Sequence, residues 1–151
     1  MEKMKEKDDK MKYIAHKDGE REQTIKEHLI GTATLAGQFA EKFGSKDWGY
    51  CGGMLHDIGK YSEEFQKKIN EDTNNMVDHA TAGAQLCKKI NLPVLDYCIA
   101  GHHAGLPDYG NTAERSSLCG RYKKKIYNYE AYQEEIKILE IYTEPFDINT
   151  L

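Results

Sequence analysis

An all-α fold is what this sequence predicts. Three observations carry the prediction. Apolar residues recur at helical spacing from Thr24 onward. No stretch alternates apolar with polar residues as a strand series would, and there is no internal repeat. Five of the six histidines stand at the starts, ends or faces of the expected helices rather than in polar loops.

Taken in order, residues 1–12 alternate lysine with acidic residues and read as a solvated arm, leaving 13–151 as one domain. Ile25, Leu29, Thr32, Ala36, Phe39, Ala40 and Phe43 then keep helical spacing until Gly44 stops the run, and His28 lies in the first turns. A second apolar segment, Trp48 to Ile58, carries His56 and Asp57 and ends at Gly59. Ser62 is a helix N-cap with Glu63 and Glu64 in the first turn, and Phe65 and Ile69 form that helix's apolar side. Residues 70–77 read as a polar loop. Asp78 caps a helix from His79 to Ile90, with Ala82, Leu86 and Ile90 on one face and Asn91 as its end. Pro93 suits the first turn of a helix running from Val94 to His102. The stretch GLPDYGN is a turn by composition. Helices are expected over Arg115–Lys125 and Glu130–Ile141, with Ile126, Tyr127 and Tyr129 open to a short strand.

Bulk properties narrow the function. The chain is 39% hydrophobic and 30% charged, with a formal net charge of −4, so sequence-blind adhesion to nucleic acid over a broad basic face is not expected. Cys51, Cys87, Cys98 and Cys119 form no Cys-x-x-Cys pair and read as reduced, small apolar residues. The opening MEKMKEKDDKMK has no apolar signal region, and no stretch reaches the roughly 20 apolar residues that span a bilayer. A cytoplasmic protein without a membrane partner is the expectation.

The histidines carry the chemistry. A single helical histidine is usually surface-exposed or a hydrogen-bonded core residue. Here Asp57 follows His56, Asp78 precedes His79, and His102 and His103 are adjacent. Adjacent helical side chains diverge by about 100°. Neighbouring ligands therefore suit two cations side by side, one residue serving each or bridging both. Imidazoles with a carboxylate favour Mn, Fe, Co, Ni or Zn over a lone Mg. Two cations about 3.5–4 Å apart acidify a water and stabilise the oxygens of a phosphoryl displacement. Lys60, just beyond Gly59, is placed to meet a phosphate oxygen; its plainer role is a lysine favoured by a helix C-terminus.

The strings AHKDGEREQTIKEHLIGTATLAGQFAEKFG, GMLHDIGKYSEEFQ, DHATAGAQL and IAGHHAGLPD resemble the HD nuclease domain of type I CRISPR effectors, within the HD superfamily of metal-dependent phosphohydrolases. The resemblance covers roughly residues 13 to 110. It implies a helical bundle with a central metal-binding cleft that holds one or two divalent ions and cleaves single-stranded DNA. It implies partnership with a helicase, fused or separate, in a CRISPR effector complex. By the same resemblance, His28, His56 and Asp57 match ligands of one cation, with Asp57 the bridging carboxylate. His79, His102 and His103 match the side of the other cation, and Lys60 matches the lysine of the HD-x-x-K string. Asp57 and Lys60 are thus the candidate catalytic residues. His16 matches an N-terminal element outside the usual ligand set and is expected to be structural.

One departure stands out. The family carries a further late aspartate, whereas Asp147, in EPFDINTL, and Asp108, in the turn, are poor matches, so the chain reads as a shortened domain or a fragment. Two alternatives follow: a phosphohydrolase of nucleotides or cyclic dinucleotides, and a module that docks DNA or a helicase without cutting. Arg121, Lys123, Lys124 and Lys125, interleaved with Tyr122, Tyr127 and Tyr129, are a weaker candidate for following a strand's phosphates and stacking its bases.

Overall fold

The computed structural model describes residues 10–137. Residues 1–9 of the expected arm, the stretch 138–141 of the last expected helix, and Asp147 lie outside the described residues.

The architecture is predominantly helical, as expected, with one addition. A β-hairpin precedes the first helix: β1 (Ile14–Asp18) pairs antiparallel with β2 (Arg21–Thr24). Asp18 faces Arg21 across a two-residue turn that opens on Gly19 at φ +58°, a left-handed conformation that glycine adopts without Cβ strain. These residues are mostly polar and carry no alternating pattern, so the strands escape a periodicity reading. They are held from outside. The Ile14 amide donates to Gln66 Oε1 at 2.9 Å, and Gln66 Nε2 donates back to the Ile14 carbonyl at 3.0 Å.

Helix α1 (Ile25–Glu41) begins with a capping box. Thr24 accepts from the Glu27 amide, and the Glu27 carboxylate accepts from the Thr24 amide. Gly44, at φ +76°, follows its end. The buried face is Ile25, Leu29, Ala33, Gly37 and Ala40, while Phe39 and Phe43 are exposed. The apolar spacing located the helix but misassigned its inner side. The reason is close packing against α2 (Lys46–Leu55): a Cβ on Gly53 would lie 2.3 Å from the Ala33 Cα. Only small residues fit that crossing, so the phenylalanines face outward.

Helix α2 ends at Leu55 rather than at Ile58. A 3-10 turn, Ile58–Tyr61, follows, and His56 and Asp57 occupy the joint between the two. Ser62 then caps α3 (Glu63–Glu71) by accepting from the Phe65 amide, as expected. Helix α4 (Ala80–Lys89) follows a loop whose Asp78 accepts from the Thr81 amide at 3.0 Å and the Thr81 hydroxyl at 2.7 Å. Ala82 and Leu86 are buried, whereas Ile90 is partly exposed beyond the helix end. Helix α5 (Leu95–Gly101) ends at the paired histidines.

Later elements are shorter than predicted. Helix α6 covers Leu118–Lys123, and Glu130–Glu134 is a 3-10 turn; residues 126–129 form no strand. Ile25, Leu29, Leu55, Ile58, Tyr61 and Cys87 belong to the main core, which α1, α2, the 3-10 turn and α4 enclose. All four cysteines are free. Burial pushes the Cys51 thiol up to about 12, which keeps it protonated and inert. Among the described residues, no helix is long and apolar enough to cross a membrane.

Candidate metal centre

Two close backbone approaches assemble the centre. Gly53 lets α2 press onto α1, which sets His56 and Asp57 opposite His28. A Cβ on Gly59 would lie 2.3 Å from the His79 carbonyl oxygen, so the HD turn can touch the start of α4 only because residue 59 is glycine. Helix α5 ends beside both and contributes His102, with His103 next to it.

The six residues that the sequence singled out as ligands converge. Asp57 is 3% exposed and lies at their middle. Its Oδ2 is 2.9 Å from His28 Nε2 and 3.2 Å from His56 Nε2, and those two nitrogens are 3.1 Å apart. Its Oδ1 is 3.2 Å from His79 Nε2 and 3.2 Å from His102 Nε2. His103 Nε2 is 2.8 Å from His79 Nε2. One carboxylate therefore faces two separate imidazole sets, one through each oxygen.

The spacing and tautomers fit divalent cations. Neighbouring donors around one ion at about 2.1 Å stand roughly 3 Å apart. Three of the rings also turn Nδ1 toward a main-chain carbonyl: His56 donates to Gly53 at 2.7 Å, His102 to Ile99 at 2.6 Å and His79 to Val77 at 3.2 Å. A carbonyl only accepts, so Nδ1 keeps the proton and Nε2 presents a lone pair to the centre. Burial alone would raise the Asp57 pKa; where these rings carry a proton on Nε2 in place of an ion, hydrogen bonds from His102, His28, His56 and His79 outweigh burial and hold the carboxyl far below the usual carboxylate range. Burial pulls the His102 pKa down, yet its bonds to Asp57 and the Ile99 carbonyl push it above the usual value.

Lys60 is also there, in a different posture from the one expected. It is 4% exposed, and its Nζ lies 2.9 Å from Asp57 Oδ2. Its charge acts first on the carboxylate. Sequence reasoning set His16 aside, and the structure brings it in. The His16 ring meets the His28 ring edge-on at 4.7 Å, and its Nε2 is 3.4 Å from Lys60 Nζ. Burial, then Lys60, lowers the His16 pKa. No motif spacing signals this contact, because it depends on where the hairpin lands. Asp108 stays on the exposed turn, outside the converging groups that include Asp57.

Clefts flank the centre on both sides of His79. One, of about 480 Å³, is lined by His16, Lys17, Lys60, Phe65 and Lys68 among others. The other, of about 670 Å³, is lined by Lys68, His103, Arg115, Arg121 and Lys124 among others. The predicted aromatic partners of the basic run fare less well. The Tyr122 hydroxyl donates to Asp96 at 2.5 Å and its ring is covered by Lys88, while Tyr129 stacks on Tyr132; Tyr127 alone of the three is exposed.

A helical bundle with a histidine–carboxylate centre able to hold divalent cations defines the class. The chain belongs to the HD domain family, which it matches over residues 25–143. It is also similar to a [1-hydroxy-2-(trimethylamino)ethyl]phosphonate dioxygenase (glycine-betaine-forming) of Leisingera caerulea, with 29% identity over 102 residues, covering 63% of this chain. The chain spans about half the length of that relative, 50%. The family supports a metal-dependent hydrolase.

Proposed function

We propose that the chain is a metal-dependent phosphodiesterase that cleaves single-stranded DNA as the nuclease element of a CRISPR interference complex, with a helicase as its partner in cis or in trans. The observation that carries the hydrolytic part is the division of Asp57 between two imidazole sets. The basic clefts that meet at His79 support a polyanionic substrate, and the four sequence strings support the CRISPR assignment.

Divalent cations at these donors supply Lewis acidity to a phosphoryl oxygen and acidify water. The protein's own residues do the rest. His28, His56, His79, His102 and His103 present Nε2 lone pairs, and Asp57 sets the distance between the two sets. Lys60 balances the Asp57 charge from within the first cleft. Lys17 and Lys68 in that cleft, and Arg115 in the other, offer cations to the flanking phosphates. Water adds to phosphorus, one P–O bond breaks, and the strand is left with a phosphate end and a hydroxyl end.

A second reading, an oxygenase of an organophosphonate, is favoured by the matched relative, because imidazoles and a carboxylate also suit iron. Dioxygen separates the two. The metal-loaded chain is incubated with labelled single-stranded DNA, with the relative's phosphonate and with a nucleotide panel, in air and without oxygen. The expected result is DNA cleavage that needs no oxygen, is lost with chelator, and returns with Mn, Co or Ni better than with Ca, an ion that prefers all-oxygen ligands. Phosphonate turnover that consumes oxygen, with DNA intact, would establish the oxygenase instead. Hydrolysis confined to nucleotides or cyclic dinucleotides would establish that phosphohydrolase. DNA binding without any turnover would leave a docking module.

A further inference from the structure

We propose that His16 supplies an additional nitrogen ligand to the cation on the Oδ2 side of Asp57. The inference rests on the reading of this centre as a cation site. It extends that site to a residue that lies before the segment matching the family, residues 25–143.

The two sides of Asp57 are unequally furnished among the described residues. Three imidazoles gather toward Oδ1: His79, His102 and His103. Two gather toward Oδ2: His28 and His56. His16 stands on the poorer side. One donor atom each from His16, His28 and Asp57 lie within 4.8 Å of one another, the same tolerance that groups Asp57 with His79, His102 and His103. His16 thus adds a second imidazole to His28 and Asp57 within that distance, while His56 stands beside them through its own contacts to His28 and Asp57.

The hairpin is built to place this ring. The β1–β2 register slips at one point: Ile14 faces Thr24, yet His16 faces Gln23, so Ala15 is an extra residue on β1. Such a bulge bends its strand and re-aims the side chains after it. Here Ile14 and Ala15 are both buried instead of alternating, and His16 turns edge-on to His28. Gln66, 2% exposed, locks the arrangement. It exchanges hydrogen bonds with both backbone groups of Ile14, and its Nε2 also donates to the Lys60 carbonyl at 2.9 Å. One side chain therefore ties the strand bearing His16 to the turn bearing Asp57. Strand and HD turn cannot drift apart without breaking these bonds.

The test reads metal, not turnover. The full chain and its His16→Ala and His16→Gln variants are stripped of metal and titrated with Co(II). Binding is followed by elemental analysis and by the visible absorption of the bound ion, with circular dichroism as a check on folding. His28→Gln serves as the control for losing the Oδ2 side. The expected result is that both His16 variants fold, keep one Co(II) at wild-type affinity, and lose affinity for the other by at least about tenfold, with an altered spectrum. Wild-type stoichiometry, affinity and spectrum in both variants would overturn the proposal, while the His28→Gln loss would show the cation site itself to be real. No Co(II) binding by the unaltered chain would overturn both.

Discussion

His28 and His79 share one carboxylate without sharing an oxygen: His28 Nε2 is 2.9 Å from Asp57 Oδ2, and His79 Nε2 is 3.2 Å from Asp57 Oδ1. They come from α1 and from the start of α4, remote in sequence, and meet only through the HD joint. That division makes Asp57 the residue whose loss affects both sides at once.

Asp57→Asn keeps the shape of the side chain and removes its charge. It is expected to weaken cation binding on both sides and to lower single-strand cleavage by at least about a thousandfold, since several kcal/mol of charge stabilisation is at stake at about 1.4 kcal/mol per tenfold. Elemental analysis alongside a cleavage assay checks it. Cleavage by the purified variant at the wild-type rate would place any nuclease activity elsewhere.

Gly59→Ala tests the close approach of the HD turn to α4. The added methyl meets backbone, the His79 carbonyl oxygen at 2.3 Å, so neither partner yields by a side-chain rotation. A loss of about 1–3 kcal/mol is expected in urea denaturation, the usual scale for an overpacked contact. Cation affinity on the His79 side should fall with it. An unchanged midpoint would show that the turn relaxes freely.

Gln66→Leu removes the clamp and leaves the Ile14 amide and two carbonyls without their buried partner. Unsatisfied buried polar groups cost roughly 1–3 kcal/mol each, less where water reaches them. The expected sign is local: faster hydrogen exchange at the Ile14 amide, with little change in α4 and α5. Equal acceleration everywhere would mean that Gln66 supports the whole core rather than the hairpin.

Acid stability has a definite window at Asp78. Burial pushes its carboxyl up, but hydrogen bonds from Lys124 and Thr81 prevail and bring it down to about 2 from an ordinary 3.8. A carboxyl depressed in the folded state stabilises the fold fully above its unfolded pKa, and that contribution drains away as pH falls through the folded value. The loss therefore runs from about pH 4 to about pH 2. After a discount for the solvent exposure of the Lys124–Asp78 pair, about 1 kcal/mol is expected. Asp78→Asn should flatten the stability profile in that window, which denaturation at stepped pH would read. A parallel, equally steep profile in the variant would refute the assignment.

Some of this was legible in the residues alone. The capping box of Thr24 and Glu27 and the apolar repeat after it mark α1, and Ser62 marks α3, because caps and periodicity are local physics. The pairing of histidines with aspartates pointed to a cation site before any distance was known. The hairpin was not legible, since its stability lies in Gln66, distant in sequence, and not in its own pattern. Nor was the inner face of α1: helical spacing defines a stripe, but the crossing with Gly53 decides that Ala33 and Gly37 go inward and Phe39 and Phe43 outward.

By itself, then, the sequence determined the helical class, the caps that start α1 and α3, and six of the side chains that converge on one centre. Only the tertiary structure decided how Asp57 divides its oxygens, that Lys60 turns inward to that carboxylate, and that His16 joins the centre. The physical reason is range. Caps and amphipathic faces depend on residues within a few positions of one another. The convergence of side chains from the hairpin, α1, the HD joint, α4 and α5 depends on where whole backbones touch, and here two glycines, a bulge and one buried glutamine set those contacts.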